Sequence, residues 1–142
     1  MLWEKTTKNG AALGSSENYF RVQALIADVS PKTAFEVMSL ADKRQKWDPR
    51  MQEVKQIAEE DNELTQYYLV KSPMFFITTR DVVVRQQRMI DYPSSGEYMY
   101  AFSSCEHSEC PVNQNYIRSQ NHLTGYKFVP APEVNGVRME WV

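Results

Sequence analysis

Cys105, His107 and Cys110, with His122 further along, are the residues whose types most readily hold a metal. Structural zinc takes four ligands at compatible spacing, and C-x-H-x-x-C followed by a distant histidine matches no standard set, so no metal is expected. Nucleophilic catalysis finds no better footing: serines and histidines are present, but there is no Gly-x-Ser-x-Gly elbow and no evident acid partner. Five glycines leave no glycine-rich loop to cradle a phosphate. No cofactor is expected, and the chain does not read as an enzyme.

What is left is the chemistry of non-covalent binding. Tyr98, Tyr100 and Phe102 share one parity of a strand-like run, a large aromatic surface that suits either a solid core or the lining of a pocket. As a lining it would also attract a quaternary ammonium such as choline. Arg80 has two readings, a structural ion pair near a strand start or a ligand for a phosphate head group, and Arg118 has the same two. Met74, Phe75, Phe76 and Ile77 form an apolar run where a solvated loop should be polar. Burying one such side chain is worth about 1.5–3 kcal/mol, so the loop either folds back on the core or meets something apolar, the mouth of a pocket or a lipid surface.

The elements that must position these residues follow from local pattern. Leu64–Lys71 and Arg80–Arg88 read as strands flanking the apolar loop, and alternation places Arg80, Val82, Val84 and Gln86 on one face, Asp81, Val83, Arg85 and Gln87 on the other. Both faces mix apolar and polar residues, so at least one is expected to look onto water or a polar cavity. Tyr19–Val29 reads as a first long strand, after a loop or frayed arm over Thr6–Glu17 whose start Trp3 would anchor. Ser30 as N-cap and Pro31 at the first helical position open a helix to about Ala41, with Phe35, Met38 and Ala41 in its apolar stripe. Trp47-Asp48-Pro49 breaks the chain, with Trp47 expected as a buried corner residue. Met51–Glu59 then forms a hairpin with Leu64–Lys71 across Asp61-Asn62. Glu97–Ser104, Tyr116–His122, Tyr126–Val129 and Val137–Val142 complete seven or eight strands in hairpin order, the last after a tight turn at Asn135-Gly136. One helix with a largely antiparallel sheet is an α+β fold.

Composition narrows the class further. At 142 residues, 42% hydrophobic and 24% charged, the chain reads as one globular domain spanning 1–142, with 1–18 a partly flexible arm. A formal net charge of −2 with scattered lysines and arginines argues against a nucleic-acid partner. The start lacks the apolar core of a signal peptide, no run approaches the length of a membrane span, and two cysteines without a glycosylation sequon do not suggest a secreted framework. The cytoplasm is the expected compartment.

Lys71-Ser72-Pro73, a short loop, then Arg80-Asp81-Val82-Val83 resembles the START (steroidogenic acute regulatory protein-related lipid transfer) domain, although Val82 stands where the family usually has an aromatic residue. Lys46-Trp47-Asp48-Pro49, Ser104–His107 with Pro111, Tyr116-Ile117-Arg118, and Gly125-Tyr126 with Pro130 follow in the right order, so the likeness spans about Tyr19–Val142. The resemblance implies a helix-grip fold, a curved antiparallel sheet with one internal helix; the C-terminal lid helix that roofs the cavity in the family is read as missing from this shortened sequence. It also implies non-covalent binding and intermembrane transfer or sensing of a single lipid, whether sterol, ceramide or phospholipid, with a transient membrane surface as partner. The alternatives are a helix-grip enzyme of the cyclase or hydratase type and a ligand-free interaction module, with self-association through an open sheet edge. Some START members bury an acid and an arginine; here the basic position falls at Gln86, beside Arg85, and the acid position near Tyr67, giving a neutral pair. The expected lipid-binding set is Tyr67, Leu69, Arg80, Val82, Val84, Gln86, Tyr98, Tyr100, Phe102 and Arg118, with Met74, Phe75, Phe76 and Ile77 as a membrane or gate loop.

Overall fold

The computed structural model describes residues 3–5, 19–72, 74 and 76–142. The arm expected over Thr6–Glu17 and Phe75 of the apolar loop lie outside the described residues. The described residues form nine strands: β1 (Trp3–Lys5), β2 (Tyr19–Ile26), β3 (Met51–Glu60), β4 (Glu63–Val70), β5 (Arg80–Ile90), β6 (Tyr98–Ser104), β7 (Ile117–Arg118), β8 (Thr124–Ala131) and β9 (Gly136–Trp141). They form one sheet in the order β1-β2-β9-β8-β6-β5-β4-β3, with β7 beside β5. All neighbours are antiparallel except β7, which runs parallel to β5 with Arg80 opposite Ile117. The expected strand over Tyr116–His122 is thus reduced to two residues. They fill the place beside β5 that β6 leaves after the Val84–Ser104 pair.

The helix expected over Pro31–Ala41 is two helices, α1 (Pro31–Ser39) and α2 (Ala41–Trp47). Its start is as expected: Ser30 Oγ accepts from the Thr33 amide at 3.1 Å, with Pro31 in the first turn. The break falls at Leu40, which is extended at φ −91° and ψ 127° and whose amide still bonds to Glu36 O. The chain bends there because the end of α1 has found other partners. Trp47 Nε1 donates to Val37 O at 3.2 Å, the Tyr100 hydroxyl to Met38 O at 3.4 Å, and Gln86 Nε2 to Ser39 O at 3.1 Å. A helix leaves its last four carbonyls without partners of its own, and here three receive side chains from α2 and the sheet. Trp47 is therefore not the buried corner residue its motif suggests: it is 47% exposed, and the neighbouring Asp48 is the buried member.

α1 packs on one face of the sheet, called here the inner face. Phe35 meets Tyr98, Tyr100 and Phe128 at ring-centroid distances of 5.4, 6.2 and 6.1 Å, and Ala34 and Val137 close the same cluster. Across β6, β8 and β9 the inner rings continue as a stack, Tyr100 on Tyr126 at 4.8 Å and Tyr126 on Trp141 at 5.8 Å. The result is an α+β helix-grip architecture, a curved open sheet with helices on its inner face. At the β3 edge, register shifts at Met51/Glu53 and Gln56/Ala58 interrupt the pairing, and Glu53, Lys55, Glu59 and Glu60 are exposed. Bulges and charges are how sheets discourage edge-to-edge pairing.

Gly136 opens β9 where it passes β2, and a Cβ there would lie 2.0 Å from the Ile26 carbonyl oxygen. Neither backbone can yield without breaking the β2–β9 ladder. Gly136→Ala is expected to destabilise the fold by about 3 kcal/mol or more, at the upper end of overpacking costs, read as a lower urea midpoint at unchanged slope.

Candidate functional site

The inner face is covered by α1 at one end, and at the other a hollow of about 120 Å³ opens between α2 and strands β3 to β6. Its walls are Met51, Tyr68, Val70, Val82, Val84 and Phe102, and its polar groups are Arg44, Gln86 and Asn121. The register explains which strand residues meet: Tyr68 lies opposite Val82, Val70 opposite Arg80, and Gln86 opposite Phe102. Of the expected lipid-binding residues, the structure brings Val82, Val84, Gln86 and Phe102 together here. Arg80 shares their parity but sits exposed at the strand's start, outside the hollow.

Tyr67, Leu69 and Arg118 lie elsewhere. Tyr67 pairs with Val83 and Leu69 with Asp81, which puts both on the outer face. The neutral pair expected from Tyr67 and Gln86 therefore does not meet. Its inner-face neighbour Gln66 is the fully buried residue, and its carboxamide oxygen accepts from the Tyr68 hydroxyl. Tyr98 and Tyr100 belong to the packed core around Phe35 and form no open cage, since Tyr100 is almost fully buried.

Arg118 has resolved into the ion-pair arrangement. Its Nε and one terminal nitrogen donate to the two Asp81 oxygens, each at 2.9 Å, and that nitrogen also reaches the Cys110 and Pro111 carbonyls at 3.1 Å. The bidentate bond to Asp81 raises the Arg118 pKa further. This fork ties the segment 105–116 to the outer face, so β5 is buried on both sides over Asp81–Val84. Cys105, His107, Cys110 and His122 line an open cleft of about 730 Å³ between that segment and residues 118–122. Burial pushes both thiols up, away from the thiolate a metal needs. Among the described residues no group of three or more His, Cys, Asp or Glu is placed to hold a metal, and no helix is long and apolar enough to cross a membrane.

Sequence reasoning missed Arg44, Gln66 and Asn121. Arg44 sits in the last turn of α2, and its charge draws down the Tyr68, Tyr100 and Tyr126 hydroxyls, although burial outweighs it and leaves all three raised. Arg44 Nε stands 3.8 Å from Asp48, too far for a hydrogen bond; it, Gln66 Nε2 and Ser39 Oγ are buried without a hydrogen-bond partner among the described residues. The one signal for Arg44 was its place one turn before Trp47-Asp48-Pro49. Helical spacing could not show that α2 turns that side chain inward, because the break at Leu40 sets the direction of α2.

An open, curved sheet that carries its helices on the inner face and keeps an apolar hollow with a few polar groups beside them defines a helix-grip domain. The chain belongs to the START domain family, whose sequence model matches residues 4–142. Among solved structures it is similar to human STARD10 (TM-score 0.80, 21% identity, 99% of this chain and 54% of that one). Human StAR-related lipid transfer protein 5 gives TM-score 0.79 and 17% identity over 97% of this chain and 69% of that one. The human StarD13 (DLC2) lipid transfer and protein localization domain gives 0.76 and 18% over 99% and 66%. The chain spans about half the length of the first of these and about two thirds of the others. No curated protein sequence matches it.

Removing the Arg118 guanidinium would leave Asp81 buried without its cation. Arg118→Met is expected to cost about 3–5 kcal/mol, the range for breaking one half of a buried pair, measured by denaturant unfolding. The Tyr68 hydroxyl is pushed up by burial from 10.0 to about 12. Because the folded state holds that proton longer than the unfolded chain, its contribution is complete below pH 10 and falls as pH rises towards 12. Absorbance titration of wild type against Tyr68→Phe is expected to show one fewer late-titrating phenol in the variant, and a shallower alkaline loss of stability.

Proposed function

We propose that this domain binds a single lipid non-covalently on the inner face of its sheet and transfers it between membranes. The observation that carries the reading is the hollow itself, lined by six mainly apolar residues and by Arg44, Gln86 and Asn121. That division suits an amphiphile, with walls that take an acyl or ring portion and a few fixed groups that orient the head. Family membership and the lipid-transfer proteins among the similar structures support the same reading.

At about 120 Å³ the hollow is smaller than the roughly 300–1,000 Å³ of a typical small-molecule site. It therefore receives part of a lipid, and the remainder lies along the inner face beside it. Arg44, which lines the hollow, has its Nε buried without a hydrogen-bond partner among the described residues, so the favoured head carries acceptor oxygens, as an ester or phosphate does. A buried donor left unpaired costs about 1–3 kcal/mol, and a ligand oxygen that meets it recovers part of that cost.

Native mass spectrometry of the purified protein, with lipid extraction of the same sample, is expected to show one bound lipid per chain. Val84→Trp, which fills the hollow, is expected to lose it, and Arg44→Met to weaken retention of acceptor-headed lipids about tenfold or more, the worth of one hydrogen bond to a charged group. An empty wild-type protein, or a folded Val84→Trp that stays fully loaded, would remove the reading.

A further inference from the structure

Three strand ends meet beside the mouth of the hollow. Arg50 precedes β3, Lys71 follows β4 and Arg80 opens β5; the Lys71 amide bonds to Arg50 O at 2.8 Å, and Arg80 lies opposite Val70. All three side chains are exposed. Arg50 leans on buried Asp48 at 3.4 Å, whereas Asp81, the acid next to Arg80, points to the opposite face and is held by Arg118. A cluster of three cations is therefore only lightly countered, on a chain whose formal charge is −2.

Apolar residues stand on the same end. The loop between β4 and β5 turns back where Met74 bonds to Ser72 Oγ and Ile77 to Met74 O, and this presents Met74 at 50% and Phe76 at 70% exposure. Ile117, opposite Arg80 on β7, is 49% exposed. Apolar tips among exposed cations match the boundary of a bilayer, where apolar side chains enter the acyl region and the cations meet head groups. A neutral protein surface would satisfy the apolar residues and leave the cations with no reason to be there.

We infer that the strand-end surface formed by Arg50, Lys71 and Arg80 around Met74 and Phe76 docks on anionic membranes in preference to neutral ones. This adds a selected partner to the lipid-binding reading, and rests on it only in that delivery of a lipid needs a membrane. Docking and loading are separate measurements.

Sedimentation with vesicles of phosphatidylcholine alone, and with about 30 mol% phosphatidylserine added, tests the surface; each cation near an anionic bilayer contributes about fivefold in binding. Wild type is expected to bind the anionic vesicles about a hundredfold more tightly, and to lose most of that advantage at high salt. Lys71→Gln with Arg80→Gln is expected to bind them about 25-fold more weakly while keeping wild-type binding to neutral vesicles and its bound lipid. Lys71→Gln alone, beyond the end of β4, gives about fivefold and covers the case in which the double variant folds poorly. Equal binding to both vesicle types, no binding to either, or a folded double variant with wild-type affinity would overturn the inference. Loss of bound lipid with docking preserved would count against the lipid-binding reading alone.

Discussion

A carboxylate at 1% exposure sits near the start of β5, and the placement of everything around it depends on the guanidinium that meets it. Asp81 and Arg118 gain little net energy from each other, because taking both charges out of water offsets much of their attraction. What the pair supplies is position. The fork of Arg118 also holds two carbonyls of the segment that crosses the outer face, so one side chain anchors a stretch with no regular hydrogen bonding of its own. With that segment in place, alternation on β5 sends Asp81 and Val83 under it and leaves Val82 and Val84 to floor the hollow. Slipping β5 by one residue would exchange the floor for the charge.

The second constraint is the end of α1. Three carbonyls there find donors on Trp47, Tyr100 and Gln86, which belong to three different elements. The helix is thereby fixed against β5 and β6 at one level, and α2 must depart from Leu40 in the direction that leaves the hollow open. Gln86 thus does two things. Its nitrogen secures α1, and its side chain forms part of the hollow's lining. A polar residue in a strand need not mark a ligand site, since a helix end needs donors as much as a ligand does.

Period-two alternation made much of this legible. The sharing of one face by Val82, Val84 and Gln86, the common parity of Tyr98, Tyr100 and Phe102, and the Ser30-Pro31 helix start are all present as read. The failures have physical causes. Tyr67 falls on the outer face because the resemblance does not settle the register across the loop before β5, and a one-residue slip reverses the face. Mixed polarity on β5 points to a solvated face, which holds at Arg85 and Gln87 but not at Asp81, buried because a cation from 37 residues on neutralises it. Trp47 was expected inside by size and motif, but an indole that only needs to deliver one N–H to a carbonyl can stay half exposed. The short β7 could not be read at all, since two residues carry no period.

Where charge enters the hollow is the least sequence-legible feature and the one with most bearing on its chemistry. The sheet contributes a neutral amide, Gln86, while the single cation of the lining comes from α2. A charge on a strand would be fixed by the sheet and would pay its desolvation whether or not a ligand were present. Arg44 instead rides on a seven-residue helix with no side-chain cap at its start, 3.8 Å from its nearest acid and only partly buried. Short uncapped helices are held by their packing rather than by their own hydrogen bonds. A polar group carried on such an element takes its place from the packing of that element, so the contacts that seat α2 also set where the hollow's cation stands. The polarity of the hollow therefore depends on the break at Leu40 that aims α2, a dependence that a cation built into β4 or β5 would not have.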